Sequence, residues 1–438
     1  MEILFTLLAA FFIIAPVLFF YLRNHRKKTK HFEHHLQKAL DSGMTEVATL
    51  HPIINQSSCI GCGTCISACP EGDVLGLING KAAVIYGAKC VGHGLCASSC
   101  PVGAIELVLG TPTNSVEVPT VDEHYETNVP GIFIVGELGG VGLIRNAIKQ
   151  GSEVIQEIVK RKKSSNDNIL DVVIIGAGPS GLSASLAAVQ NELRYVTLEQ
   201  EADFGGSILH YPRRKLVLTS PVEIPTYGKL NLSEVTKENL LQIWNDIIAK
   251  TKLELHFEEK VTDIVSERDS FFVKTSKGEY KTRYVILALG RRGTPRKLGA
   301  RGEQHSKVMY RLLEAEQFQN NNLLVVGGGD SAIEAAVGLA HQTGNKVTIS
   351  YRKESFFRLK PRNQTNIQKN IAEGKISTMF NSQVKDIREK EVEIEESGRT
   401  LILPNDFVFV FAGGELPFEF LKKIGIKIEV HRGEGKML

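Results

Sequence analysis

The sequence predicts an α/β chain with two parallel-sheet domains, a small cysteine-rich α+β domain and one N-terminal transmembrane helix. Three observations carry that prediction. Two segments, around Gly176 and Gly327, run strand, glycine-rich turn, helix, strand; all seven cysteines fall between Cys59 and Cys100; and residues 3–22 form an uncharged apolar run. At 438 residues, 42% hydrophobic and 23% charged, the chain can bury more than one core.

Taken in order, the apolar run has about the twenty residues that a helix needs to cross a bilayer. Arg23, Arg26, Lys27, Lys28 and Lys30 follow it. A cleaved signal peptide has its basic residues ahead of a shorter apolar core, so a retained anchor is expected. Positive flanks stay inside, which makes the protein single-pass in the inner (cytoplasmic) membrane with its catalytic domains in the cytoplasm. Pro16, mid-span, is a tolerable kink. With that basic cluster set aside, the net charge of +3 leaves a nearly neutral remainder, which argues against nucleic-acid binding. His25, His31, His34 and His35 read as a solvated juxtamembrane helix rather than a metal site.

Cysteines crowded into one stretch of a cytoplasmic chain point to metal binding rather than disulfides. Cys59, Cys62, Cys65 and Cys69, followed by Pro70, read C-x-x-C-x-x-C-x-x-x-C-P, a spacing that holds an iron-sulfur cluster. Cys90, Cys96, Cys100 and Pro101 repeat the frame with His93 in the second position. Zinc ribbons rarely pack cysteines this way twice over. Residues 51–109 resemble a bacterial two-cluster ferredoxin. That resemblance implies one cluster on Cys59, Cys62, Cys65 and Cys100, and another on Cys69, Cys90 and Cys96. At the second, either His93 ligates the fourth iron of a 4Fe-4S cluster, or it fills the loop beside a 3Fe-4S cluster.

The first glycine motif places Gly176, Gly178 and Gly181 between the strand ILDVVII and an Ala-rich helix, with Glu199 after the next strand. This is the Rossmann-like dinucleotide fingerprint: glycines admit a pyrophosphate, and the acid accepts hydrogen bonds from a ribose. The second copy has Gly327 and Gly329 with Asp330 and Ser331 opening the helix. Its second strand ends in Tyr351, Arg352 and Lys353, with Arg358 soon after, and such cations suit a 2′-phosphate. NADPH is therefore expected over NADH. Arg213 and Arg214 read as a surface loop.

GAGPSG and GGGDSAIE, with ALG at 288–290 between them, resemble the thioredoxin-reductase-like flavoproteins. The resemblance implies FAD in the first fold, where Gly205 and Gly206 fit the flavin loop, and NAD(P)H in the second. Two departures qualify it. The family's redox C-x-x-C is missing from KVMYRLLEAEQFQNNN, which leaves the ferredoxin-NADP reductases as the nearer analogy. In addition, the family's C-terminal segment T-x-x-P-G-I-F-x-x-G-D is found here at 127–137, ahead of the first glycine motif, so the chain looks circularly permuted. Gly136 and Glu137 occupy the flavin-contacting positions, with Glu137 in place of the usual Asp.

The expected fold class is thus α/β, with two Rossmann-like domains, a ferredoxin-like iron-sulfur domain and a transmembrane helix. Expected domains are anchor 1–24, juxtamembrane segment 25–50, ferredoxin module 51–109, permuted FAD-domain piece 110–160, linker 161–168, FAD domain 169–295, NAD(P)H domain 296–405, and return to the FAD domain at 406–438. The strand GIFIV is expected beside the Gly176 strand. Function is read as electron transfer among NAD(P)H, FAD and two iron-sulfur clusters, to or from an unidentified redox partner, with the oligomeric state, homodimer included, left open. A flavin monooxygenase and a membrane electron conduit with regulatory nucleotide sites are the rivals, the former weakened because Arg301 stands where its F-x-G-x-x-x-H signature needs glycine. No general acid or base is named, because cofactors would carry the chemistry.

Overall fold

A single helix, Glu2–Asp41, opens the chain. The computed structural model describes residues 2–41, 44, 45, 47, 50–112, 115–140, 142–161, 169–211, 216–218, 221–230, 234–291, 295–312, 314–356, 359 and 361–433. At 1.5 Å per residue the 40-residue helix is about 60 Å long. Most side chains of residues 3–22 lie outside those described, and the expected membrane span falls on them. Among the described residues no helix is long and apolar enough to cross a membrane. Arg213, Arg214, Arg358 and residues 162–168 of the linker are also outside the description.

The chain divides into two units, residues 1–116 with 432–438, and residues 117–431. In the first, the end of the long helix packs Phe32 and Leu36 against a buried group of Ala39, Met44, Ile85 and Tyr86. Gly76 makes room, since a β-carbon there would strike the Phe32 ring. His31 and His34 are exposed, while His35 is half-buried with Nδ1 3.4 Å from the Tyr86 hydroxyl. Strand His51–Ile54 pairs antiparallel with Ile105–Val108, and Leu75–Ile78 forms a hairpin with Lys81–Val84. Asn79 and Gly80 turn that hairpin with φ of 51° and 77°, as a two-residue connection requires. This unit also contains two four-residue helices, Thr64–Ser67 and Leu95–Ser98.

The second unit holds two parallel-centred sheets. In the first, strands run in the order Leu255–His256, Tyr195–Leu198, Leu170–Ile175, Glu279–Leu287, Ser270–Thr275, Val261–Glu267. Residues 171–175 are buried throughout, the pattern of a strand covered on both faces. Ile132–Ile134 pairs parallel with the end of Glu279–Leu287, Ile132 facing Val285 and Ile134 facing Leu287. This corrects one expectation: GIFIV is separated from the Gly176 strand by the 279–287 strand, which pairs with both. Apolar character on both faces marks it as a central strand but does not say which neighbour it takes. Helix Ile144–Arg161 buries Ile148, Gly151, Val154, Ile155 and Ile158, and Gly151 lets it close on helix Pro179–Gln190.

The second sheet runs Val308–Met309, Phe407–Val410, Asn322–Val326, Lys346–Ser350, Ile376–Met379, all parallel. Phe407–Val410 belongs here, so the expected return to the first domain at 406 comes later in the chain. The physical reason is its near-complete burial between two parallel neighbours. Leu421 and Ile426, by contrast, are buried in the first sheet's core.

Candidate functional site

The cysteine frame is folded as two near-copies. Gly61 and Gly63 have φ of 68° and 78°, and Gly92 and Gly94 have φ of 80° and 76°. Gly63 and Gly94 each precede a four-residue helix, and Ser67 and Ser98 each donate a backbone N–H back to that glycine. Cys62 and His93 therefore occupy equivalent places in the two loops.

Two recesses result. One, of about 310 Å³ and open to solvent, is lined by Cys59, Cys62, Cys65 and Cys100. The other, about 360 Å³, is lined by Cys69, Cys90, Cys96 and His93, together with Pro70 and Glu71. Each motif thus gives three of its positions to one recess and its last cysteine to the other. Among the described residues no group of three or more His, Cys, Asp or Glu is set to hold a single metal ion. The paired C-x-x-C-x-x-C frames, each sharing its last cysteine with the other recess, are the donor set of a two-cluster iron-sulfur domain.

Burial pushes the Cys65, Cys69 and Cys90 thiols up and Cys96 up to about 11. The Thr64 hydrogen bond instead holds the exposed Cys62 thiol down, and a bound metal cation would offset the burial of the others. The backbone N–H of Ala82 donates to Cys59 Sγ at 3.4 Å and that of Ala104 to Cys100 Sγ at 3.3 Å, bonds of the kind that tune a cluster.

In the first nucleotide fold, Gly176 has φ of 110°, and a β-carbon there would lie 2.5 Å from the Ala288 carbonyl oxygen. Gly178 caps helix Pro179–Gln190, whose first residue is a proline. Gly206 comes close to Gly178, since a β-carbon on Gly206 would sit 3.1 Å from the Gly178 α-carbon, so the turn and the Gly205–Gly206 loop meet. A β-carbon on Gly181 would overlap the Gly176 carbonyl. Glu199 is buried, with Oε2 accepting from Ala177 N–H at 2.8 Å and Oε1 from Glu201 N–H at 3.0 Å. Burial pushes its carboxyl above the usual range, against those two amides.

Gly136 brings the earlier segment to the same place. A β-carbon on it would lie 2.7 Å from Ser180 Oγ, on the helix that follows Gly178. Glu137 acts electrostatically on Arg291, whose guanidinium burial pushes down in pKa while Glu137 opposes. Arg291 directly follows the ALG signal; the sequence reading did not single it out.

In the second fold, Gly327 has φ of 142° and Gly329 caps helix Asp330–Ala340. The Tyr351 ring lies against Gly328, where a β-carbon would meet it at 2.5 Å. Buried Asn363, which the sequence reading missed, donates to Asp330 Oδ1 at 2.7 Å and to Glu334 Oε1 at 3.1 Å. Ser331 is half-buried, and Arg352 and Lys353 are exposed after strand Lys346–Ser350. The two glycine turns each open the N-terminus of a helix, a place that suits an anion such as a dinucleotide pyrophosphate.

Residues 173–434 match the family described as pyridine nucleotide-disulphide oxidoreductase, and that is more than half of the chain. The chain belongs to this family. Residues 52–107 of this oxidoreductase also match a 4Fe-4S dicluster domain. Bacilliredoxin reductase Bdr of Bacillus subtilis is 28% identical over 267 residues, 60% of this chain and 82% of the relative. Ferredoxin-NADP reductase of Picrophilus torridus is 34% identical over 196 residues, 42% of this chain and 55% of the relative, so the chain spans about half of that protein. Among solved structures, bacillithiol disulfide reductase Bdr of Staphylococcus aureus is similar at a TM-score of 0.54 and 27% identity, over 60% of this chain and 82% of that one.

Proposed function

We propose that this oxidoreductase passes electrons between NADPH, FAD and two iron-sulfur clusters, and so to or from a redox partner. The observation that carries the reading is the partition of seven cysteines and His93 between two recesses, four to each, within a chain that also has two glycine-turn nucleotide folds. When bound, the flavin converts the two-electron chemistry of nicotinamide into the one-electron chemistry of clusters. The chain's own residues would hold and orient: the 176–181 turn, Gly205, Gly206, Gly136, Glu137 and Glu199 for FAD; the 327–331 turn, Arg352, Lys353 and Arg358 for NADPH. Cysteine is absent from residues 101–438, so the two nucleotide folds carry no dithiol of their own.

The reading includes a circular permutation. Asn128 supports it by bracketing the C-terminal segment, its Nδ2 donating to the Gly425 carbonyl at 2.9 Å and its Oδ1 accepting Lys427 N–H at 2.8 Å. Residues 425–427 thus lie beside the segment that would follow them in the family order. The uncharged run at 3–22 with its basic flank supports an inner-membrane anchor with the remainder in the cytoplasm.

An anaerobic NADPH titration of the purified holoprotein tests the redox inventory. One two-electron flavin and two one-electron clusters predict about two equivalents of NADPH per chain. Consumption of one equivalent with the cluster absorbance unchanged refutes the coupling.

A further inference from the structure

The second recess raises a question that the two-cluster reading leaves open, namely what stands at its fourth corner. Three observations address it. The loop that presents His93 repeats the loop that presents Cys62, with matching left-handed glycines on either side and the same short helix after it. His93 lines the recess with the three thiols, and that recess is no smaller than the four-thiol one. Lastly, His93 Nε2 lies 3.8 Å from Glu71 Oε1, both side chains being partly buried at 23% and 27% exposure.

We infer that His93 is the fourth iron ligand of the second cluster and that Glu71 is its positioning residue. The inference rests on the two-cluster reading above. A loop that only filled space would have no need to repeat the ligand-presenting turn. A carboxylate beside the second ring nitrogen is the arrangement that metal-ligating imidazoles adopt, because it fixes tautomer and ring orientation. At 3.8 Å Glu71 is in ion-pair range of Nε2 and not yet hydrogen-bonded to it; its closing on Nε2 when iron binds would hold the proton there and leave the Nδ1 lone pair for the metal. In forming this site, Cys69, Cys90 and Cys96 each lose a proton and His93 loses none. The cluster then carries one negative charge fewer than a four-thiolate one, so its potential is the more positive of the two.

The test uses the full-length holoprotein, purified anaerobically, with iron and acid-labile sulfide counts, EPR, redox titration and nitrogen hyperfine spectroscopy on 15N-histidine-labelled protein. Wild type is expected to hold about eight irons and to show histidine nitrogen coupling at one cluster. H93A is expected to lose one iron and gain a three-iron EPR signal while the Cys62 cluster persists. H93C is expected to keep the full count, lose the nitrogen coupling and titrate at a more negative potential; it serves equally where H93A fails to accumulate. E71Q is expected to keep every iron and shift only the second cluster's potential. A three-iron signal without nitrogen coupling in wild type, which H93C converts to four-iron, overturns the ligand assignment while the two-cluster reading survives. Loss of iron in E71Q, with H93A unchanged, makes Glu71 the ligand and overturns it equally. An unshifted potential in E71Q removes the positioning role. Zinc with no acid-labile sulfide in wild type overturns both this inference and the reading beneath it.

Discussion

Gly151 faces the backbone of Ser180 so closely that a β-carbon on it would overlap the Ser180 carbonyl oxygen. The contact joins helix Ile144–Arg161, which precedes the glycine fingerprint, to the helix that follows it. G151A therefore forces the two helices apart at a point where the obstacle is backbone and cannot rotate away. The expected cost is about 1–3 kcal/mol of stability, with loss of flavin on gel filtration. Denaturant midpoints compared with those of Q190A, at the far end of the partner helix Pro179–Gln190, check it; equal stability would mean that the helices do not meet as described.

Glu199 supplies the acceptors for two backbone amides, that of Ala177 in the first glycine turn and that of Glu201 just after its own strand. E199A strands both N–H groups and should cost about 1–3 kcal/mol, together with weaker flavin binding; E199Q, which keeps one acceptor, should lose less. In flavin-free protein the pH dependence has a defined sign. The folded state raises this carboxyl, so its contribution to stability is greatest below the unfolded pKa and falls as pH rises through the folded value. E199Q should flatten that slope in denaturation curves taken across the acidic range.

Much of this arrangement was legible in the sequence because its signals are local. Cysteine spacing within one loop brings three positions of a motif together; the sharing of the fourth with the other motif is what the two-cluster resemblance implies, and the two recesses are lined by those same residues. Glycine turns are equally local, since positive φ at Gly176 and Gly327 is a property of those residues. Strand neighbours are not local. Ile132–Ile134 and Phe407–Val410 are apolar on both faces, so periodicity marks them as central without choosing the sheet or the partner. Glu71, Arg291 and Asn363 were missed because each acts across the chain on a residue already singled out. Only Glu71, directly after the Cys69-Pro70 pair, and Arg291, directly after ALG, had a neighbouring signal that pointed to them.

Arg352 is exposed after strand Lys346–Ser350, at the end where the second ribose of a dinucleotide fold is read. R352A should weaken NADPH binding by roughly tenfold or more, the worth of a charge-assisted hydrogen bond, and leave NADH within about twofold. Equal losses for the two nucleotides in a fluorescence titration would remove the 2′-phosphate assignment.

Deleting residues 2–22 should release the chain from carbonate-washed membranes while its visible spectrum is retained. Continued sedimentation of the truncated chain with membranes would place the attachment elsewhere. In the full-length protein, a cysteine introduced at the exposed position 269 should resist an impermeant thiol reagent added to intact cells, as the basic flank requires.

The most direct test of the account is a stopped-flow mixing of anaerobic holoprotein with a substoichiometric amount of NADPH, recorded at the flavin band and by freeze-quench EPR. The account predicts that the flavin band bleaches first and then recovers as electrons reach the clusters, with EPR signals growing at the rate of that recovery. A flavin that stays reduced while the clusters remain oxidised would contradict it.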